Sequence, residues 1–577
     1  MTMLRWRCIV ALCAVAVIAS SLRQLVVDAH AAAPVTILDL LPYQRMHTFS
    51  IASREGRTGT ATLIEVNPNV NAWYLLRLSW KNDPVTHWYH LENPRPRTAR
   101  IEVANDDASH VRLVESGVAE NCDLWWDGPF NPGHHPGPAD APFVPLCNEA
   151  LYLRRMTSGS YTQLERATNF LRDHVWGGDR IVTFVRKELF ADAYVEHGAP
   201  VAGNPLSSTA TLPAPPRSAV LDAQIKNAAV VPDHLGLDAR IGGNTMRLGQ
   251  WYDLPHAPGI FVSAMRPDAI ASGILQSDRA HVNSLDAVEA AALDYLVAFD
   301  LSQFDLGFAL GTDHPRLDWA PRVLDSVRDT AMPGPDGIDS SAPLVRNGTV
   351  SPAALAQIAA TFTGGFKREH GAFRRGPLSQ RNGGSHYGFI EQGAVFSRLQ
   401  PGLATLLSFN DGSVAMKTWT TEDAALLPRI THARQNGVPL IDSDPVSGNP
   451  IAGALVNQWG AGNWSGSADE KQRTLRAGVC MQRNGNHDFL VYGYFSTATP
   501  SAMTRVFQSY GCSYAMHLDM NALEHTYLAV YTHDEGKLVM QHLVQGMAVV
   551  DRNVRGEAAP RFLAYPDNRD FFYLLRR

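Results

Sequence analysis

The chain has 577 residues, of which 45% are hydrophobic and 18% charged, with a formal net charge of −6. That length and apolar content suit two to four domains around a substantial buried core and exclude a disordered or fibrous protein. A mildly acidic balance leaves no electrostatic case for nucleic-acid binding.

In chain order, Arg5 and Arg7 precede the apolar run "CIVALCAVAVIASSL", and the small-residue stretch "AHAAAP" follows. This pattern predicts a secretory signal over residues 1–31, cleaved after Ala31, with an uncleaved anchor as the alternative. Cleavage would remove three arginines and one aspartate, moving the charge from −6 to −8. The expected location is outside the cell or in the periplasm or envelope, with no stable membrane insertion after cleavage. Four cysteines would remain, Cys122, Cys147, Cys480 and Cys512. An even set in an oxidising compartment predicts disulfides, and the local pairings Cys122–Cys147 and Cys480–Cys512 are favoured because each lies within one apparent folding unit. None is spaced as a zinc ligand, so neither metal nor cofactor is expected.

From Pro34 to about Val114 the runs are short and alternating, as in "GTATLIEVNP" and "AWYLLRLSW", which predicts a small β-sandwich. A Pro/Gly/His loop follows, and then "YTQLERATNFLRDHVW" spaces Leu164, Ala167, Leu171 and Val175 as a helix. Together, residues 34–198 read as a β-rich N-terminal domain. Residues 199–219, rich in Pro, Ser, Thr and Ala, read as a linker to a second domain over 220–577.

Within that second domain, "LDAVEAAALDYLVAFD" reads as helical and "FDLGFALGTDHP" as a strand and turn. "SPAALAQIAATF" reads as a helix with Ser351 as N-cap and Pro352 in the first turn. Further on, a strand over Phe489–Phe495 leads to Thr499 as N-cap and Pro500 in the first helical turn. Met503, Val506, Phe507 and Tyr510 form an apolar stripe, and Gly511 stands at the C-cap. A strand over Ser513–Leu518 follows. Strand, helix and strand with short joins predict a βαβ unit with parallel neighbours, and hence an α+β or mixed α/β domain containing a mixed sheet. Asp519 would then lie at the carboxyl end of a strand, the edge where open α/β sheets place ligands.

The pieces "TGGFKREHG", "PGLATLLSFNDGSVAMKTW", "ARQNGVPLI", "RTLRAGV" and "YAMHLDMN", in that order over about residues 355–530, resemble the phosphodiester glycosidase family. Its eukaryotic relative uncovers mannose phosphate by removing N-acetylglucosamine, and its bacterial members are often exopolysaccharide-related. Two positions depart from the family's pattern: Thr363 stands where an Asn is common, and Met520, Asn521, Ala522 and Leu523 stand where glycines and a Ser are common. The resemblance implies a hydrolase acting on sugar-phosphodiester or related glycan bonds. The phosphate group that leaves is already a weak base, so a strong general acid matters less than in ordinary glycosidases.

Three things are then needed: a carboxylate at the oxocarbenium-like centre, a cation for the phosphate and polar groups for the sugar. Asp519 is the expected carboxylate, and Arg476 the bidentate phosphate clamp with Arg473 as its alternate. His370 and His525 would relay protons or bind phosphate. Glu369 is a second-choice carboxylate, Thr363 and Asn521 would position substrate, and Gly364 and Gly365 would allow close approach of the backbone. The rival reading is a non-catalytic secreted or cell-surface glycan-binding protein of the same fold, and behind it stands a structural envelope component.

Overall fold

The computed structural model describes residues 37–38, 45–52, 56–66, 71–96, 98–103, 110–123, 143–155, 192–198, 200–201, 215–225, 227–241, 244–314, 325–328, 341–342, 347–366, 387–461, 471–552 and 558–577. The expected signal segment, the helix over "YTQLERATNFLRDHVW" and most of the expected linker lie outside these residues.

Alternating sequence in the first part produces two antiparallel sheets. One has six strands, in the order Arg45–Ala52, Thr58–Glu65, Trp73–Trp80, Thr86–Glu92, Leu151–Arg155 and Phe143–Leu146. The other is a three-stranded meander, Ala99–Val103, His110–Glu115 and Val118–Asp123. Inward residues of both, such as Leu76, Leu91, Val111 and Leu113, share one buried cluster, as in a sandwich. The opposite face of the larger sheet does not face water: Ile64, Trp73 and Leu75 belong to the same core as Phe299, Phe389 and Tyr573 of the later chain.

Among the described residues the later chain builds three larger antiparallel sheets, besides a small three-stranded one of Pro200–Val201, Ala229–Val230 and Met246–Arg247. The largest runs in the order Tyr252–Asp253, Ile260–Met265, Asp294–Asp300, His487–Ala498, Thr474–Asn484, Tyr514–Met520, Pro439–Ser443 and Pro450–Ala452. A five-stranded sheet places Phe304–Ala309, Phe571–Arg576, Ile358–Thr363, Leu528–Asp534 and Lys537–His542 side by side. A second five-stranded sheet holds Ala394–Ser397, Phe389–Glu391, Ile430–Gln435, Ala404–Phe409 and Val414–Thr418.

These sheets overturn the expected mixed sheet with a βαβ unit. Strand His487–Ala498, helix Pro500–Ser509 and strand Tyr514–Met520 do follow one another. However, Thr474–Asn484 lies between the two strands and pairs antiparallel with both. The physical reason is the tight turn at Asn484–His487, where Gly485 takes φ +59°: a short hairpin claims the neighbouring position, so the helical crossover must skip a strand. The fold is strand-rich and antiparallel. Two further expected helices shrink for a related reason. Pro352–Gln357 is one 3-10 segment with no side-chain cap from Ser351, and it gives way to the fully buried strand Ile358–Thr363. Helix Ala287–Ala291 likewise yields to the buried strand Asp294–Asp300. In both, burial of a continuous β-branched and aromatic run outweighs helix propensity.

The helix over Pro500–Ser509 matches its expected signals. Thr499 Oγ1 accepts from the Ala502 N–H at 3.2 Å, and Gly511 adopts φ +69°. Its stripe of Met503, Val506, Phe507 and Tyr510 is fully buried on the large sheet. The cross-strand pair Gly478 and Gly493 lets it dock closely, since a Cβ on either would lie 3.1 Å from the Phe507 ring.

Both expected cysteine pairs are bridged, with Cα separations of 5.5 Å for Cys122–Cys147 and 5.9 Å for Cys480–Cys512. This fits an oxidising compartment. Replacing Cys480 and Cys512 together by Ser is expected to cost roughly 3–4 kcal/mol, because the bridge closes a segment of sequence separation 32 and both cysteines are buried. A urea titration would check it; an unmoved midpoint would refute the assignment. Among the described residues no helix is long and apolar enough to cross a membrane.

Candidate functional site

Three sheets converge at one place. Strand Tyr514–Met520 carries Asp519 there as its penultimate residue, strand Ile358–Thr363 runs into Gly364–Gly365–Phe366, strand Ile430–Gln435 delivers Arg434 and is followed by Asn436, and strand Phe571–Arg576 begins just after Arg569 and Asp570. Strand ends must turn, and their charged residues are carried inward by the convergence: Arg434, Arg569, Asp519 and Asp570 are all buried.

Asp519 is 4% exposed. One carboxylate oxygen accepts from the Met520 N–H at 2.8 Å, and the other accepts from Arg569. The second terminal nitrogen of Arg569 bonds His525 Nε2 at 2.6 Å, while His525 Nδ1 bonds the Met520 carbonyl at 2.7 Å. A carbonyl can only accept, so Nδ1 carries the proton and Nε2 accepts from the guanidinium: His525 is held as one neutral tautomer.

Around this core the turn after strand Ile358–Thr363 is stapled in place. Thr363 Oγ1 donates to the His525 carbonyl at 2.6 Å, and the Gly364 N–H donates to the Asp570 carbonyl at 2.7 Å. Asn436 accepts from the Phe366 N–H at 3.2 Å and donates to the His517 and Leu518 carbonyls, each at 2.7 Å. Gly365 takes φ +150°, and a Cβ there would lie 2.9 Å from the Asn436 amide, so no side chain fits.

Beneath it lies a second ion pair. Arg434 donates through Nε to Asp570 at 2.9 Å, through another nitrogen to the Phe366 carbonyl at 2.9 Å, and to the Gln435 carbonyl. Asp570 also accepts from the Gly311 N–H at 2.9 Å. Burial pushes its carboxyl up to about 6, against the opposing pull of Arg434.

Of the residues expected from sequence, Asp519, His525, Thr363, Gly364 and Gly365 therefore meet in one hydrogen-bonded cluster. Asn521 sits at its edge in a left-handed conformation, φ +83°, and accepts from Thr474 Oγ1 at 3.2 Å. That is a conformation Asn tolerates where a glycine would be common. Arg476 is close by but enclosed: it donates to the Ala498 carbonyl at 2.7 Å and the Gln472 carbonyl at 2.9 Å, and bonds His517 Nε2 at 3.2 Å. It braces the strand end rather than presenting an open fork. The His517 ring stacks on Phe366 with centroids 4.9 Å apart, and burial followed by the Arg476 charge keeps it well below the usual histidine range. Arg473, the alternate clamp, is directed elsewhere, pairing with Asp286 at 2.6 Å and Asp192 at 3.0 Å. His370 and Glu369 lie outside the described residues. Among the described residues no group of three or more His, Cys, Asp or Glu is placed to hold a metal.

Arg569, Asp570, Arg434 and Asn436 were not selected from sequence. The signal was present for two of them in "ARQNG", and for the others in "YPDNRDFF", where three charged residues directly precede an apolar strand. No protein-family model matches the chain, and no curated protein matches it significantly.

Glu391, in the layer behind the site, accepts from the Leu310 N–H at 3.1 Å with its carboxyl end enclosed, although the residue as a whole is part-exposed. Burial pushes it up to about 8 from an ordinary value near 4.5. The folded state thus holds a proton that the unfolded state releases. Stability from this group is complete below about pH 4.5 and is lost as pH rises through about 8. Between pH 5 and 8.5 the urea midpoint should fall, and Glu391→Gln should flatten that fall; an unchanged slope in the variant would exclude Glu391 as its source.

Proposed function

We propose that the chain is an exported hydrolase of sugar-phosphodiester or related glycan bonds, with Asp519 as the carboxylate at the reacting centre. The observation that carries this reading is the cluster itself: Asp519 at a strand end shares Arg569 with His525, directly beside the close-approach turn Gly364–Gly365. Asp519 would stabilise or attack the anomeric carbon as the phosphate monoester departs with the bonding electron pair, and water then supplies the hydroxyl of the released sugar. Arg569, the cation that touches the carboxylate, takes the phosphate-facing role first given to Arg476, and fills it only when its bond to Asp519 or His525 opens. Neutral His525 holds Arg569 in plane and can accept a proton at Nε2 when that bond opens.

A specific observation favours a second reading. Asp519 is nearly enclosed and ion-paired, and Met520 and Ala522 beside it are buried where glycines would leave room. In that reading the cluster is a rigid support for a glycan-binding face. Incubating the chain with sugar-1-phosphodiesters and with polysaccharides, and measuring released reducing sugar, separates the two. Turnover supports the hydrolase; binding without release supports the second reading.

A further inference from the structure

We infer that the cleft between the N-terminal sandwich and the two five-stranded sheets is a binding site for an uncharged glycan segment, separate from the Asp519 cluster and independent of whether that cluster is catalytic. The cleft has a volume of about 560 Å³, within the ~300–1,000 Å³ of small-ligand sites. Thr98 and its flanking prolines wall one side, Ser408, Asn410 and Thr431 the other, and Tyr573 forms part of the floor.

Three features fix the class of ligand. First, the charges around the cleft cancel locally. Asp305 pairs with Arg577 at 2.9 Å, Asp411 with Arg429 at 3.1 Å and Arg95 with Glu115 at 2.6 Å. An ionic ligand would have to break one of these pairs, whereas hydroxyls can add to carboxylate oxygens already in place. Second, Ser408, 5% exposed, is a lining residue of the cleft, and its enclosed hydroxyl has no hydrogen-bond partner among the described residues. A buried unpaired hydroxyl costs stability unless a ligand or a water completes it. Third, the Tyr573 ring lies across Gly307, where a Cβ would be 2.1 Å from the ring. The missing side chain lets an aromatic surface sit at the cleft floor, the kind of surface on which a sugar's C–H face packs, with hydroxyls and amides around it.

The strand that carries Tyr573 begins immediately after Asp570, three residues away, or about 10 Å at ~3.3 Å per residue.

The test uses the full chain carrying Asp519→Asn, so that no hydrolysis consumes the probe. Linear hexasaccharides of glucose, mannose and galactose, and a hexagalacturonate as the anionic control, are titrated by calorimetry. At least one neutral hexasaccharide is expected to bind, and more tightly than the hexagalacturonate. Thr98→Trp, at an exposed position, should weaken binding at least tenfold by filling the mouth. Ser408→Ala should weaken it about fivefold while leaving the melting temperature unchanged or raised, because it removes an unpaired hydroxyl. Binding of none of the neutral probes, tighter binding of the anionic one, or binding indifferent to both variants would overturn the proposal. None of those results bears on sugar release by the unaltered chain, so this site and the hydrolase reading fail separately.

Discussion

Replacing Asp519 by Asn is expected to lower the release of reducing sugar from a sugar-1-phosphodiester by about 10³-fold or more, the scale seen when a covalent or charge-stabilising catalytic group is removed. The substitution keeps the shape and the hydrogen bond from the Met520 N–H, but removes the charge that faces Arg569. Arg569 would remain buried with His525 as its neutral partner. Some stability should also be lost, since the buried guanidinium loses a carboxylate partner. The two effects are separable: a steady-state assay on protein shown to be folded by near-ultraviolet circular dichroism reads the first, and a urea titration the second. Sugar release at the original rate from folded Asp519→Asn protein would remove Asp519 from the reacting centre.

Arg434→Met should be the most damaging single change to the fold around the site, costing roughly 3–5 kcal/mol at pH 7.5. It takes the guanidinium away from the fully buried Asp570 carboxylate, which keeps only the Gly311 N–H and the His314 ring at 3.7 Å among the described residues, and it removes the Arg434 donors from the Phe366 and Gln435 carbonyls. Because burial already holds Asp570 at about 6, the sign of the pH dependence follows. Without the lowering pull of Arg434 the variant's Asp570 takes up its proton above that value, and at pH 5 the carboxyl is neutral in both chains, so the penalty should be smaller there. Urea titrations at pH 5 and pH 7.5 would check this, with the variant closer to the parent at pH 5. Adding Asp570→Leu to Arg434→Met should recover part of the loss, since a buried ion pair can often be replaced whole at little cost. A single-variant cost under about 1 kcal/mol would mean that the pair is not what holds the convergence together.

Much of the local structure was legible. The alternation of "GTATLIEVNP" and "AWYLLRLSW" marks strands because a two-sided sheet demands period two. The helix over Pro500–Ser509 carries its own start and stop in Thr499, Pro500 and Gly511, and its Met503–Tyr510 stripe states which face is buried. Both disulfides followed from proximity in sequence. Where the reading went wrong, local signals competed with pairing across long distances. "AALDYLVAFD" and "LAQIAATFT" have helix-compatible composition, yet both are interior strands: the first has one partner about 35 residues away and one about 200 away, and both partners of the second lie more than 150 residues away.

What the amino-acid sequence determined by itself was therefore whatever depends on neighbours within about a dozen residues: strand and helix signals, caps, turns, cysteine pairs and the placing of Asp519 at a strand end. Only the tertiary structure decided which strand lies beside which, and with it the make-up of the site. Asp519 meets Arg569 across 50 positions, and Arg434 meets Asp570 across 136. The reason is physical. Pairing order in a sheet is set by which edges are already taken, as the hairpin at Gly485 shows, and a buried charge reveals its role only through the partner that compensates it. Sequence spacing therefore identified Asp519 as a position of interest, but selected Arg476 as the partner cation where the fold supplies Arg569.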